Sequence, residues 1–247
     1  MLYMNTIILP SIATKEIFKQ TLGGGVFGTT AGLVKATNED RLGYLNTADG
    51  LRVCIADGHW GDGAADMIVK YWLSESTQFP LTSEKAVKAT QAIEKQLDTH
   101  FGTSDMDADV DKTPEAAFIA AELTGNTLQI VSYGDCRLLV ARQGKIYYQL
   151  PTKATWLGAF SHRGMRDRQP IKDALSFTSL SLLPGDVVML FTDGIDECVY
   201  EVPTISFDTI AEYGSTNPPS EAFDKIMNKV FAVGAQDNAS LAVISIK

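Results

Sequence analysis

Runs of β-branched and aromatic residues, separated by turn residues, cover most of the chain. Such runs predict short strands. They span residues 6–9, 43–46, 51–56, 117–123, 127–133, 137–142, 145–149, 175–182, 187–192 and 239–246. Glycine-containing turns at 124–126, 143–144 and 184–186 connect several of them. This turn chemistry favours antiparallel hairpins over parallel crossovers.

Apolar residues recur at helical spacing in three segments, 62–76, 83–101 and 220–233. Thr82 or Ser83 can cap the N-terminus of the second segment. A pair of helices after the early strands and one helix before the last strand predict two sheets packed face to face, with helices on their outer faces. We therefore expect an α+β sandwich of two mostly antiparallel sheets flanked by helices.

Three other segments have no clear periodicity. The glycines at 23–25 and 28 are not followed by Gly-Lys-Ser/Thr, so we interpret them as a flexible turn, not a phosphate-binding loop. The alternating aspartates at 105–111 lack the Gly and Glu that a calcium-binding EF-hand requires, and they predict a solvated loop. Residues 156–172 predict an exposed loop or, alternatively, a substrate-facing flap whose arginines attract phosphorylated ligands.

Composition and charge narrow the classes of partner. With 45% hydrophobic and 21% charged residues, the chain has the composition of a folded globular protein. A net charge of −9 and a pI of about 4.8 argue against nucleic-acid binding, which relies on clustered Lys and Arg. We also expect no membrane span, because no segment has the roughly 20 apolar residues required. Cys54, Cys136 and Cys198 lack C-x-x-C spacing, which predicts packed thiols in a reducing cytoplasm.

Four aspartates share a sequence context that suits a metal site. Each lies beside a strand-like run and next to Gly, Asn or another carboxylate: Asp40, Asp57, Asp193 and Asp237. A single Asp-Gly pair is more often a simple turn. Converging carboxylates, however, repel by roughly 3 kcal/mol per pair at about 5 Å and an effective dielectric of about 20. Divalent cations remove this repulsion, and oxygen ligands favour Mg²⁺ or Mn²⁺ over zinc.

Five short motifs resemble, in order, those of the metal-dependent type 2C protein phosphatases, the PPM family. They are Asn38-Glu39-Asp40, Asp57-Gly58-His59, Gly134-Asp135-Cys136-Arg137, Thr192-Asp193-Gly194 and Asp237-Asn238. The match spans residues 25–247. The resemblance implies one domain over residues 1–247, an α-β-β-α sandwich, and two Mn²⁺ or Mg²⁺ ions at one end of the sheets. It also implies hydrolysis of phosphoserine and phosphothreonine on proteins.

The resemblance implies the ligands of both ions. Asp57 would bridge the two ions. Asp193 and Asp237 would complete the coordination of one ion, and Asp40 with the Gly58 carbonyl would bind the other. Every ligand in this set is an oxygen atom, as Mn²⁺ and Mg²⁺ prefer.

Further residues take roles from the same resemblance. Glu39 would act through a water, and Asp135 would join Asp193 at a weaker third ion, unless Asp135 is a hairpin-end residue that stabilises a turn. His59 would be the general acid that protonates the leaving oxygen; a hydrogen-bonding His beside the metal ligands is the alternative. Lys35 stands where the family usually has a phosphate-binding Arg, or else it is a solvated surface lysine.

The expected partner is a phosphorylated protein, whose kinase the chain would oppose, and we expect a monomer. Two residues depart from the family pattern: Trp60 replaces a glycine and Cys136 replaces a serine. Two other functions remain open. One is a catalytically inactive regulatory or binding module, which the retained aspartates disfavour. The other is a phosphoesterase for small molecules with the same metal chemistry, because substrate choice resides in loops such as 156–172.

Overall fold

The structure is a computed structural model, and it describes residues 6–10, 15–22, 24–47, 49–79, 82–102, 113–159, 170–199 and 202–247. In chain order its elements are β1 (Thr6–Ile8), β2 (Phe18–Leu22), β3 (Gly25–Thr30), β4 (Arg41–Asn46), β5 (Gly50–His59), α1 (Gly63–Trp72), α2 (Ser83–Phe101), β6 (Glu115–Thr124), β7 (Thr127–Tyr133), β8 (Arg137–Arg142), β9 (Lys145–Gln149), β10 (Leu157–Gly158), α3 (Ile171–Ala174), β11 (Ser176–Ser181), β12 (Val187–Phe191), α4 (Phe207–Thr216), α5 (Pro219–Val233) and β13 (Ala239–Ser245).

The strands form two sheets. The first has the order β1-β4-β5-β6-β7-β11, with β10 paired to β6, and the second has the order β2-β3-β13-β12-β8-β9. Every pairing between these strands is antiparallel. The expected antiparallel sheets are therefore confirmed.

Each sheet is buried on both faces. In β5, Val53 and Ile55 pack between the sheets, whereas Cys54 and Ala56 pack beneath α1 and α2. This alternation follows from the two-residue period of a strand. On the second sheet, α4 and α5 cover the outer face. The layers are α-β-β-α, which confirms the predicted fold class.

Most predicted elements are present, including the helices that became α1, α2 and α5. Thr82 caps α2 as expected, because its side chain accepts a hydrogen bond from the backbone N–H of Lys85 at 3.3 Å. The cysteines are free and buried, as predicted. None of the described helices is long and apolar enough to cross a membrane.

The glycines near the N-terminus were interpreted as a flexible turn; Gly24 does lie in the turn between β2 and β3, but for Gly25 and Gly28 the interpretation is wrong. Residues Gly25–Thr30 form β3, whose six residues are buried between β2 and β13. A Cβ at position 28 would collide with the ring of Phe223 on α5. Gly28 therefore allows α5 to pack closely on the second sheet. Propensity alone did not predict β2 or α4 either.

Two loop expectations also change. The turn at 184–186 joins β11 of the first sheet to β12 of the second, so it is not a hairpin. The 156–172 segment begins with β10 and ends in α3, while residues 160–169, which include its arginines, lie outside the described residues. The acidic run at 105–111 lies outside them as well.

Candidate metal centre

Two of the candidate ligands come from neighbouring strands of the first sheet. Asp40 immediately precedes β4, and Asp57 lies within β5, whose next-to-last residue is Gly58. Because β4 pairs with β5 and Arg41 faces Ala56, Asp40 and Asp57 are neighbours across the pair. The expectation that Asp57 follows its strand is therefore wrong by a few residues.

Gly58 is required by close packing. A Cβ at this position would collide with the carbonyl oxygen of Glu39. The loop before β4 therefore lies directly against the end of β5. This contact places the Gly58 backbone beside Asp40, as the resemblance implies.

The other two candidate ligands come from neighbouring strands of the second sheet. Asp193 follows β12 and begins a single turn of 3₁₀ helix, and Asp237 precedes β13. A Cβ on Gly194 would collide with the carbonyl oxygen of Asn238, so the two segments touch. Antiparallel pairing of β12 with β13 thus brings Asp193 and Asp237 to the same end of the sheet.

Hydrogen bonds connect the two sheets at this end. The Thr192 hydroxyl donates to Oδ2 of Asp40 at 2.8 Å. Asn238 accepts from the backbone N–H of Glu39 at 2.8 Å and donates to the carbonyl oxygens of Thr37 and Ala31 at 2.9 and 3.1 Å. The role of Asn238 was not predicted from the sequence, although its place between a candidate ligand and a buried strand was a signal.

Asp135 lies at the same end. The turn that carries it leaves β7 in the first sheet and enters β8 in the second. The alternative that Asp135 ends a hairpin is therefore wrong. Its Oδ1 atom is buried and has no hydrogen-bond partner in the described part of the chain. A cation would satisfy such an atom.

Burial and mutual repulsion disfavour ionisation of these carboxyl groups. Burial raises the pKa of Asp40 to about 8, with smaller contributions from Asp237 and Asp193. Burial, followed by the charges of Asp193 and Asp40, raises the pKa of Asp57 well above its usual range. Burial and the charge of Asp193 raise the pKa of Asp135 to about 6. The aspartates therefore interact electrostatically, as the members of one site must.

Lys35 and His59 border the carboxylates. Nζ of Lys35 lies 3.3 Å from Oδ1 of Asp237, so Lys35 is not simply a solvated lysine. Burial lowers the pKa of His59, whereas the charges of Asp193 and Asp237 oppose this shift. Nδ1 of His59 is buried and has no hydrogen-bond partner among the described residues. Nδ1 is therefore free to bond to a group that binds in the site, and both roles expected for His59 remain predictions.

Trp156 was not singled out from the sequence, but its ring packs against His59, with the centroids 5.2 Å apart and the planes at 74°. Trp156 directly precedes β10, which pairs with β6 beside His59. The beginning of the 156–172 segment is therefore part of the site. Only its position at the start of a candidate flap hinted at this contact.

The donor set fits a hard divalent cation, because it consists of carboxylate oxygens, one of them orphaned on Asp135. As they stand, however, no three His, Cys, Asp or Glu side chains of the described residues are arranged to hold an ion. Asp40 accepts a hydrogen bond from Thr192, and Asp237 pairs with Lys35. Both carboxylates therefore already have partners within the protein.

Known proteins share sequence and fold with this chain. A family model described as Stage II sporulation protein E (SpoIIE) matches residues 64–247. The probable protein phosphatase 2C 76 of Arabidopsis thaliana is 32% identical over 103 residues. That stretch is 40% of this chain, and it spans only 24% of the relative's length. The curated relative is therefore much longer than the matched stretch.

Solved structures share the fold. A bacterial serine phosphatase matches with a TM-score of 0.71 and 16% identity, covering 90% of this chain and 98% of that chain. A second match is the catalytic domain of the serine threonine protein phosphatase PstP in complex with 2 manganese ions. It has a TM-score of 0.63 and 17% identity, and the match covers 98% of this chain and 99% of that chain. The family model extends from α1 to the last residue and includes Asp193 and Asp237. The chain belongs to the SpoIIE family, which is of the PPM type.

Proposed function

We propose that the chain hydrolyses phosphoserine and phosphothreonine on proteins and requires bound Mn²⁺ or Mg²⁺. The observation that carries this proposal is that the buried carboxylates of Asp40 and Asp57, from the first sheet, lie close enough to the half-buried Asp193 of the second sheet to repel it, at one end of the sandwich. Such a cluster disfavours the metal-free fold and is relieved by cations. The phosphatases among its relatives, one of them solved with manganese ions, support the same reaction.

The proposed ligands are those that the family resemblance implies. Asp57 would contact both ions, Asp40 and the Gly58 carbonyl would hold one, and Asp193 with Asp237 would hold the other. Asp135 would serve a weaker third ion. Bound ions would supply Lewis acidity, which lowers the pKa of a water nucleophile and offsets the charge that grows on the phosphoryl oxygens.

The remaining chemistry belongs to two side chains. His59 would donate its proton to the serine or threonine oxygen that leaves the phosphorus. Lys35 would bind a phosphoryl oxygen, and its position beside Asp237 places its ammonium group at the edge of the site. A lysine provides a point charge without the fork of an arginine, so it would orient the phosphate less strictly.

The test is metal-dependent phosphate release from phosphoserine and phosphothreonine peptides. We expect activity with Mn²⁺, its loss on chelation, and a fall in kcat of at least about 100-fold in Asp57→Asn and Asp193→Asn. Asp224→Asn is a matched control, because Asp224 is an exposed carboxylate that pairs with Lys19 and should leave activity unchanged.

Small phosphate esters, tested in parallel, separate the alternatives. Turnover of small esters without peptide turnover would favour the small-molecule phosphoesterase. Metal binding without either activity would favour the regulatory module. Full activity in chelated protein, or in both substituted variants, would contradict the proposed mechanism.

A further inference from the structure

Trp60 combines a left-handed backbone conformation with a half-exposed aromatic side chain. Its φ of 62° lies in the left-handed region, which an L-residue with a large side chain occupies at a cost in stability. Its side chain nevertheless remains 50% exposed, so half of the indole surface is open to solvent. The backbone is held in place because the Gly61 N–H donates to Oε1 of Glu39 at 2.6 Å. Strain of this kind, held by its surroundings, is typical of functional sites.

The location of Trp60 indicates what it contacts. It lies between His59, the last residue of β5, and Gly61, whose N–H bonds to Glu39 next to the candidate ligand Asp40, so it borders the candidate metal centre. Val34, the neighbour of Lys35, is also apolar and is 66% exposed. Each of the two residues proposed to act on the phosphate is therefore the sequence neighbour of an exposed apolar residue.

We propose that Trp60 binds an apolar side chain of the substrate, one or two residues from the phosphorylated serine or threonine. The inference rests on the proposed function, which fixes the phosphate beside His59. Successive Cα atoms are about 3.8 Å apart, so a residue flanking the phosphate is within reach of the residue that follows His59. An indole supplies a large, rigid surface for such a contact. The substrate class is therefore phosphoprotein segments with an aliphatic or aromatic residue beside the phosphate.

Two phosphoserine peptides that differ only in Leu or Asn at the flanking position test this. Leu and Asn have similar shapes, so the comparison isolates apolar contact. For the Mn²⁺-loaded wild type we expect kcat/KM about fivefold higher with Leu, through KM. Trp60→Gly should reduce this ratio to about one, whereas Trp60→Phe should retain most of it. Leu183→Gly is the control, because Leu183 is 53% exposed and lies before β12, at the end of the sandwich away from Asp193.

A binding measurement separates this inference from the proposed function. Non-hydrolysable phosphonate versions of both peptides, titrated calorimetrically into the same proteins, should show the same fivefold ratio in Kd and its loss in Trp60→Gly. If the wild type releases no phosphate from peptides or small esters, the proposed function fails, and the Kd ratio still decides the role of Trp60. A Leu-to-Asn ratio near one in the wild type, or one unchanged in Trp60→Gly, would overturn the inference.

Discussion

Trp60 has a backbone conformation that its bulky side chain disfavours. Among the described residues, Trp60, Gln143 and Ala235 have a positive φ without being glycine. The family pattern has glycine at position 60, which adopts this conformation without the clash of a Cβ. A tryptophan there costs about 1–2 kcal/mol of backbone free energy. That cost can be measured separately from the contacts of the indole ring.

We predict that Trp60→Gly unfolds at higher urea concentration than Trp60→Ala, with a free energy of unfolding about 1 kcal/mol larger. Both variants lose the indole, and only glycine relieves the left-handed backbone. Val34 provides the control, because it is exposed and has no positive φ. There Ala should be at least as stable as Gly. Equal stability of the two Trp60 variants would show that the backbone is unstrained.

At the scale of elements, one side chain holds the loop that carries Asp40. Asn238 is buried, and it bonds to the backbone of Glu39, Thr37 and Ala31. It thereby connects the start of β13 to the segment before β4. The loop has no regular secondary structure of its own, so its shape depends on these three bonds together with those from Asn38 to Thr29 and from Thr192 to Asp40.

Asn238→Ala should therefore lower the free energy of unfolding by about 2–3 kcal/mol, because it leaves buried backbone groups without partners. It should also weaken Mn²⁺ binding by about 10–100-fold, the usual effect of removing a group that orients ligands. Urea unfolding and calorimetric titration measure these two effects. Asn217→Ala, which removes bonds at the partly exposed end of α4, is the control and should leave Mn²⁺ affinity unchanged. Unchanged Mn²⁺ affinity in Asn238→Ala would show that the loop keeps its shape without the hydrogen bonds of Asn238.

The sequence predicts elements where local pattern and packing agree. Strands β7, β8 and β9 match their predicted bounds, because alternation and turn residues mark both ends. The sequence does not predict β3. Gly28 lies in this strand because the ring of Phe223, nearly two hundred residues away, leaves no room for a Cβ. The candidate aspartates were predictable from their motifs. The contact of Trp156 with His59 and the hydrogen bonds of Asn238 were not predictable, because they depend on how the two sheets pack together.

At the scale of the whole molecule, neither sheet forms the site alone. The first sheet supplies Asp40 and Asp57, and the second supplies Asp193 and Asp237. Packing the sheets face to face concentrates negative charge at one end. The apolar core between the sheets therefore stabilises a fold in which the carboxylates at the strand ends repel one another.

This opposition makes the stability of the metal-free protein depend on pH. The pKa of Asp40 is about 8 in the folded protein and near 4 when unfolded. Between these values the folded state holds a proton that the unfolded state has lost. The stability contributed by this proton is fully present below about pH 4 and is lost as the pH rises through 8. Asp135, with a pKa of about 6, adds the same trend at lower pH.

Mn²⁺ should reverse this trend, because it binds the ionised carboxylates. With Mn²⁺ at about 100 times its Kd, we expect the melting temperature to rise by roughly 5–10 °C at pH 8. At pH 5.5 the gain should be much smaller, because protons compete for the same oxygens. Calorimetric melting of the wild type and of Asp40→Asn, each with Mn²⁺ or chelator, measures both effects. Asp40→Asn should flatten the pH dependence of the chelated protein and lose most of the gain from Mn²⁺. An equal gain at both pH values in the wild type would place the ion away from these buried carboxylates.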